Sequence, residues 1–142
     1  MTTALDTNVL VGLWDDDKAW SDAARAALDH ALSQGPLVLS GAVYAELLAC
    51  PGRTEDMLDR FLADVAIRVD WDFGEQEWLL AGNAFQAYTK RRRLGRGTGP
   101  RRILADFVIG AHAQFHRYRL LTFDDRHHRA AFPGLRVLLA GE

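Results

Sequence analysis

At 142 residues, with 49% apolar and 25% charged side chains, the chain has the length of one domain, able to bury roughly 68–70% of the surface its unfolded form exposes. That apolar content excludes a disordered chain, and Cys50, the only cysteine, excludes a disulfide scaffold and fits a reducing compartment. The net charge of −2 hides an asymmetry: Lys90, Arg91, Arg92, Arg93, Arg96, Arg101 and Arg102 are 7 of the 17 basic residues, in one 13-residue stretch without an acid, which leaves 10 basic against 19 acidic residues elsewhere.

The basic stretch is a candidate contact for a phosphate backbone, or else a solvated loop. No run of about 18 apolar residues is present to span a membrane. Asp6 stands where a secretory signal needs a basic start and an apolar stretch. A soluble, cytoplasmic protein without membrane association is expected.

Thr2 to Leu5 reads as a short strand that ends at Asp6-Thr7-Asn8 and feeds a first helix. Asp17 or Ser21 caps a second helix through Ala23, Ala24, Ala27, Leu28, Ala31 and Leu32, which Gly35-Pro36 stops. Leu37 to Leu39 is a buried strand, after which Ser40 caps a helix over Gly41 to Cys50. Pro51-Gly52 separates that helix from another over Thr54 to Val65, with Met57, Leu58, Phe61 and Leu62 as its apolar stripe. Ile67 to Val69 is a third strand, and Glu75 to about Arg93 a long helix with Trp78, Leu79, Phe85 and Tyr88 inward. Gly95, Gly97, Gly99 and Pro100 interrupt before Ile103 to Phe115, apolar nearly all round and hence a buried helix. Arg119 to Thr122 and Leu135 to Leu139 are strands joined by a short segment ending in Phe132-Pro133-Gly134. Alternating strands and helices predict one α/β domain, residues 1–142, built on a parallel sheet.

Four acids stand in unusual surroundings. Asp6 is the only charged residue in the first 14, at the edge where open α/β sheets bind ligands, although an N-cap would also explain it. Asp106 is the only polar side chain between Ile103 and Ala111. A buried carboxylate needs a cation or a proton; Arg102 at i−4 is one partner, and the small Gly110 and Ala113 leave room beside it for another. Glu46 is the only charged side chain between His30 and Arg53, at the edge of an apolar stripe, where a boundary glutamate is also common. Asp124 and Asp125 follow a strand end, which an Asx-turn would also explain. If Asp6, Glu46, Asp106 and Asp124 converge, side-chain cations are too few in their apolar segments to offset the repulsion, and a divalent ion would. Carboxylates without His or Cys select Mg²⁺, or Mn²⁺, over zinc.

The ordered set Ala4-Leu5-Asp6-Thr7-Asn8-Val9-Leu10, Ala45-Glu46-Leu47, Arg101-Arg102-Ile103-Leu104-Ala105-Asp106-Phe107-Val108-Ile109-Gly110-Ala111-His112-Ala113 and Leu121-Thr122-Phe123-Asp124, with Phe132-Pro133-Gly134-Leu135 behind it, resembles the PIN-domain ribonucleases, and within them the VapC toxins of toxin–antitoxin pairs. The resemblance implies a three-layer sandwich with a central, mostly parallel twisted sheet flanked by helices. It implies a Mg²⁺-dependent endoribonuclease, with Mn²⁺ as a substitute. Asp6, Glu46, Asp106 and Asp124 match the acidic quartet. Asp6 and Asp106 would be the foremost metal ligands, Glu46 would orient the ion or the attacking water, and Asp124 would complete the charge cage or support a second ion. Thr7, Asn8 and Thr122 would be hydrogen-bonding supports. It also implies a homodimer, a VapB-type antitoxin that blocks the acidic cleft, and a basic loop that guides RNA. Where the family commonly has a basic residue after its last acid, this chain has Asp125; spacing from Phe132-Pro133-Gly134 favours Asp124, with Asp125 able to share its role.

Other readings are weaker. His112 and His116, at i and i+4, lack the glutamate of a His-Glu-x-x-His zinc motif and read as helix-surface residues. His127-His128 beside Asp124 could assist acid–base chemistry. A phosphatase with Asp6 as nucleophile is disfavoured because Asn8 stands where a second carboxylate is needed. From another class, the alternative is a catalytically silent PIN-fold module that binds RNA or protein.

Overall fold

The computed structural model describes residues 1–95 and 99–141. Five strands run in the order β1 (Thr3–Leu5), β2 (Leu37–Ser40), β3 (Ile67–Asp70), β4 (Arg119–Thr122) and β5 (Val137–Leu139). Seven helices alternate with them: α1 (Thr7–Leu13), α2 (Lys18–Gln34), α3 (Gly41–Leu48), α4 (Glu55–Asp64), α5 (Glu75–Arg93), α6 (Leu104–Phe115) and α7 (Asp125–Ala131). The sheet order is β3-β2-β1-β4-β5, with every pair parallel. Every residue of β1 and β2 is buried, so helices cover both faces and the fold is a three-layer α/β sandwich, as expected. Short apolar strands fit this because a doubly covered strand needs no polar alternation.

Local chemistry places the helix starts where the sequence suggests. Asp17 accepts from the Ala19 N–H at 2.9 Å, Ser40 from Val43 at 3.4 Å and Thr54 from Met57 at 3.2 Å.

Several expectations need correction. The segment before Phe132 is a helix, α7, which the pattern Asp-Arg-His-His-Arg-Ala-Ala concealed because its inward residues are His127 and His128 rather than aliphatics. On α5 the inward stripe is Glu77, Ala81, Ala84, Phe85 and Tyr88, whereas Trp78 and Leu79 are 51% and 54% exposed. A buried glutamate displaced the apparent stripe. Met57 on α4 is likewise exposed, and Leu58 and Leu62 carry the contact. The helix over 103–115 is buried only from Phe107 to Ala113, with Ile103, Leu104 and Phe115 open to solvent. Gly110 leaves no room beside Asp106: a Cβ there would lie 2.3 Å from the Phe132 ring, which already fills the space.

The chain order reverses between β1 and β4, the neighbours from which the connections run outward in opposite directions. In open parallel sheets that reversal opens a crevice beyond the carboxyl ends of the strands. Asp6 and Asp124 follow the two strands concerned.

Candidate active site

Asp6 occupies the N-cap position of α1, but its side chain makes no cap hydrogen bond. It is 7% exposed, and its Oδ2 accepts from the Thr122 hydroxyl at 2.8 Å and pairs with His128 Nε2 at 2.9 Å. Burial alone would raise the Asp6 pKa, but the hydrogen bond and charge of His128, with the Thr122 hydroxyl, hold it below the ordinary value. The carboxylate is therefore kept ionised in a nearly closed setting.

Thr122 is the hinge of a small network. Asn8 Nδ2 donates to its hydroxyl at 3.2 Å, and the Asp124 N–H donates to the same oxygen at 2.9 Å. Asn8 Oδ1 accepts from the Phe123 N–H at 3.0 Å. This ties the turn after β1 to the turn after β4. Thr7 donates to Glu46 Oε1 at 2.6 Å, fixing the α3 glutamate toward the same edge. Partial burial raises the Glu46 pKa, the Thr7 hydroxyl opposes it, and the charges of Asp6 and Asp106 add to the rise. Three acids from β1, α3 and α6 thus share one electrostatic site.

Asp106 sits in the first turn of α6 and accepts from the Ile103 N–H at 3.0 Å, a helix-start bond that leaves the other carboxylate oxygen free of protein donors. It is half-buried. Arg102 does not pair with it. Instead Arg102 reaches Asp124 Oδ2 at 2.6 Å, and Asp125 pairs within α7 with Arg129 at 3.0 Å. Asp124, not Asp125, is therefore turned toward the acidic residues' side of the molecule.

Two basic side chains meet the acids: Arg102 pairs with Asp124, and His128 Nε2 stands against Asp6. Both lie outside the apolar segments that carry Asp6, Glu46 and Asp106; the sequence offers Arg102 as a partner for Asp106, but folding turns it to Asp124 instead. His128 is the residue that sequence reasoning undervalued. A helix beginning at Asp124 would have placed it one turn on, facing the same way.

His127 packs edge-on against Phe107, with ring centroids 5.0 Å apart, and its Nε2 is buried without a hydrogen-bond partner. Burial, then the charges of His128 and Arg102, lower its pKa to about 4. It is neutral at neutral pH and does not serve as an acid there. Because the folded value lies below the unfolded 6.5, its contribution to stability is complete above pH 6.5 and is lost as pH falls toward 4. A loss of about 2 kcal/mol is expected after allowance for partial solvent access. In His127→Leu, urea unfolding midpoints measured from pH 7 to pH 4 should fall less steeply than in the wild type; equal slopes would refute this assignment.

The basic residues spread more than their sequence suggests. Lys90, Arg91, Arg92 and Arg93 form the last turn of α5, where they also suit the negative end of the helix dipole. Arg92 donates to the Gly99 carbonyl at 3.1 Å, Arg101 is exposed, and Arg102 enters the acidic site. Arg96 lies outside the described residues.

Among the described residues, no three of Asp6, Glu46, Asp106 and Asp124 offer oxygens that all lie within 4.8 Å of one another. Mg²⁺ keeps several waters and takes only one or two carboxylates directly, so it does not require three of them at that separation. The donor set is hard oxygen throughout, with Asp6 held ionised and Glu46 burdened by its neighbours' charge. The residues fit such an ion.

A parallel sandwich with acids gathered at its topological reversal defines a class of α/β proteins with a polar crevice at the sheet edge. The PIN domain family model matches residues 3–133, and the chain belongs to the PIN-domain family. Among solved structures, the chain is similar to VapBC2 from Rickettsia felis bound to a DNA fragment from their promoter, with a TM-score of 0.69, 21% identity and 99% of both chains covered. It is similar to VapBC-1 from nontypeable Haemophilus influenzae, with a TM-score of 0.67, 22% identity and 98% of both chains covered. A toxin-antitoxin complex from Klebsiella pneumoniae aligns with a TM-score of 0.61 and 20% identity, over 96% of this chain and 95% of that one. A search of curated proteins returns no significant sequence match. At these identities the structural likeness bears on the fold.

Proposed function

We propose that this PIN domain is the toxin of a toxin–antitoxin pair and acts as a Mg²⁺-dependent endoribonuclease in the cytoplasm. The observation that carries the reading is the hydrogen-bonded approach of the acids beyond the β1/β4 reversal: Asp6 accepts from Thr122, whose hydroxyl also accepts from the Asp124 N–H, and Glu46 accepts from Thr7. Acids that repel one another at a ligand-binding edge are the arrangement a hard cation stabilises. The fold's likeness to VapBC and toxin-antitoxin complexes supports an antitoxin partner, and a homodimer is part of the same proposal. Among the described residues, no helix is long and apolar enough to cross a membrane.

Asp6 and Asp106 would hold the ion, with Asp124 joining once Arg102 is drawn to a substrate phosphate. When bound, Mg²⁺ supplies a water of lowered pKa and charge stabilisation at phosphorus. Glu46, whose Oε1 accepts from the Thr7 hydroxyl, would serve as the proton acceptor through its carboxylate. Thr122 and Asn8 hold the Asp6 and Asp124 turns together. Lys90, Arg91, Arg92, Arg93 and Arg101, with Arg96, would steer the phosphate backbone of RNA toward the crevice.

Total cellular RNA incubated with the purified protein and Mg²⁺ should acquire discrete new 5′ ends on mapping. Excess EDTA should abolish them and added Mn²⁺ restore them. Cleavage that persists in excess EDTA would overturn the metal mechanism. The pairing of Arg102 with Asp124 and of His128 with Asp6 favours one other reading, a silent PIN-fold module that binds RNA or protein. It predicts metal-independent RNA retention and no new ends.

A further inference from the structure

A second group of ligand-type side chains lies apart from the acidic crevice. Asp70 ends β3, Glu77 lies in the first turn of α5, and His112 and His116 are one turn apart at the C-terminal end of α6. His112 Nε2 stands 2.9 Å from Asp70 Oδ2, and His116 Nε2 stands 3.6 Å from both Asp70 Oδ2 and Glu77 Oε2. One ligand atom each from Asp70, His112 and His116 lies within 4.8 Å of the others. Metal–ligand bonds of about 2.0–2.2 Å in a tetrahedron put ligand atoms about 3.4 Å apart, close to the measured separations.

Burial makes the group hard to explain as an ordinary surface cluster. The Glu77 side chain is 6% exposed and that of His112 is 1% exposed. Glu77 Oε1 accepts from the Gly74 N–H at 3.2 Å, but Glu77 Oε2 and His116 Nε2 are both buried and have no hydrogen-bond partner among the described residues. Ligand-type atoms of Asp70, His112 and His116 are thus grouped within 4.8 Å, and the buried Glu77 Oε2 stands beside His116 at their edge, 3.6 Å from its Nε2. Tyr118 stacks on the His116 ring at 5.1 Å and 15°, which holds that imidazole in place.

We propose that Asp70, Glu77, His112 and His116 form a closed structural site for a divalent transition-metal ion of the Zn²⁺ class, clamping β3, α5 and α6 together. Two imidazoles with two carboxylates suit zinc rather than Mg²⁺, and four protein ligands leave no open position for chemistry. The site is distinct from the crevice: His112 lies six residues beyond Asp106, about 9 Å along the helix axis.

The test is Zn²⁺ titration of the full chain after chelation, with bound metal quantified and Co²⁺ substitution followed by visible absorption. The wild type should bind one equivalent and give the intense bands of tetrahedral Co²⁺. Asp6→Asn should retain both, since it touches only the crevice. His116→Ala and Glu77→Gln should bind at least tenfold more weakly and lose the tetrahedral bands. Glu77→Gln keeps the acceptor for Gly74 and so preserves the helix start. Absence of stoichiometric Zn²⁺ in the wild type, or binding that Glu77→Gln leaves intact, would overturn the proposal.

Discussion

Replacing Asp6 or Asp106 by asparagine is expected to lower Mg²⁺-dependent RNA cleavage by at least about 1,000-fold, equivalent to about 4 kcal/mol of transition-state stabilisation. The two variants differ in their structural cost, and that difference makes the pair informative. Asp106 donates nothing and accepts one backbone bond, from Ile103, which an asparagine oxygen also accepts. Asp106→Asn should therefore unfold within about 0.5 kcal/mol of the wild type while losing activity. Asp6 is buried against His128 and Thr122, so Asp6→Asn loses a charge-assisted bond and is expected to cost about 1–3 kcal/mol as well. Initial rates on a defined RNA, with melting curves of both variants, check this. Near wild-type rates in Asp106→Asn would remove that residue from the metal site, and near wild-type rates in both would remove the mechanism.

The second large effect is steric. In Gly110→Ala the new Cβ would lie 2.3 Å from Phe132 Cε2, 2.5 Å from Cδ2 and 3.2 Å from Cζ. Phe132 is 2% exposed, so its ring can yield only by displacing its buried surroundings. Overpacking of this kind costs about 1–3 kcal/mol, and the short contacts place it at the upper end. The better helix propensity of alanine returns about 1 kcal/mol. A net loss of about 2 kcal/mol is expected, lowering the melting temperature by about 5–10 °C. Phe132→Leu in the same chain should recover part of that loss, because the two residues contend for one volume. A Gly110→Ala protein as stable as the wild type would show that the ring yields. The same contact explains why the gap expected beside Asp106 does not exist: the space opposite Gly110 belongs to the hydrophobic core that seats α6.

Much of this protein is legible from its residues in order. Strands covered on both faces appear as plain apolar runs, and Ser40, Thr54 and Asp17 mark helix starts because each short side chain reaches an N–H within its own turn. Isolated acids in apolar segments at strand ends stand out for the same reason, since their burial demands an explanation. Those signals are local, and a one-dimensional reading handles them.

The tertiary structure decided the partners. Nothing near Asp6 or Asp124 in sequence indicates that His128 and Arg102 meet them, nor does the i, i+4 pair of His112 and His116 announce Asp70 and Glu77 from other elements. Where polar residues turn inward, as on α7 and at Glu77, hydrophobic periodicity points the wrong way because it assumes that apolar side chains mark the buried face. Hydrophobicity is a property each residue carries alone. Charge pairing and ligand geometry exist only between residues, and only folding sets the distances on which they depend.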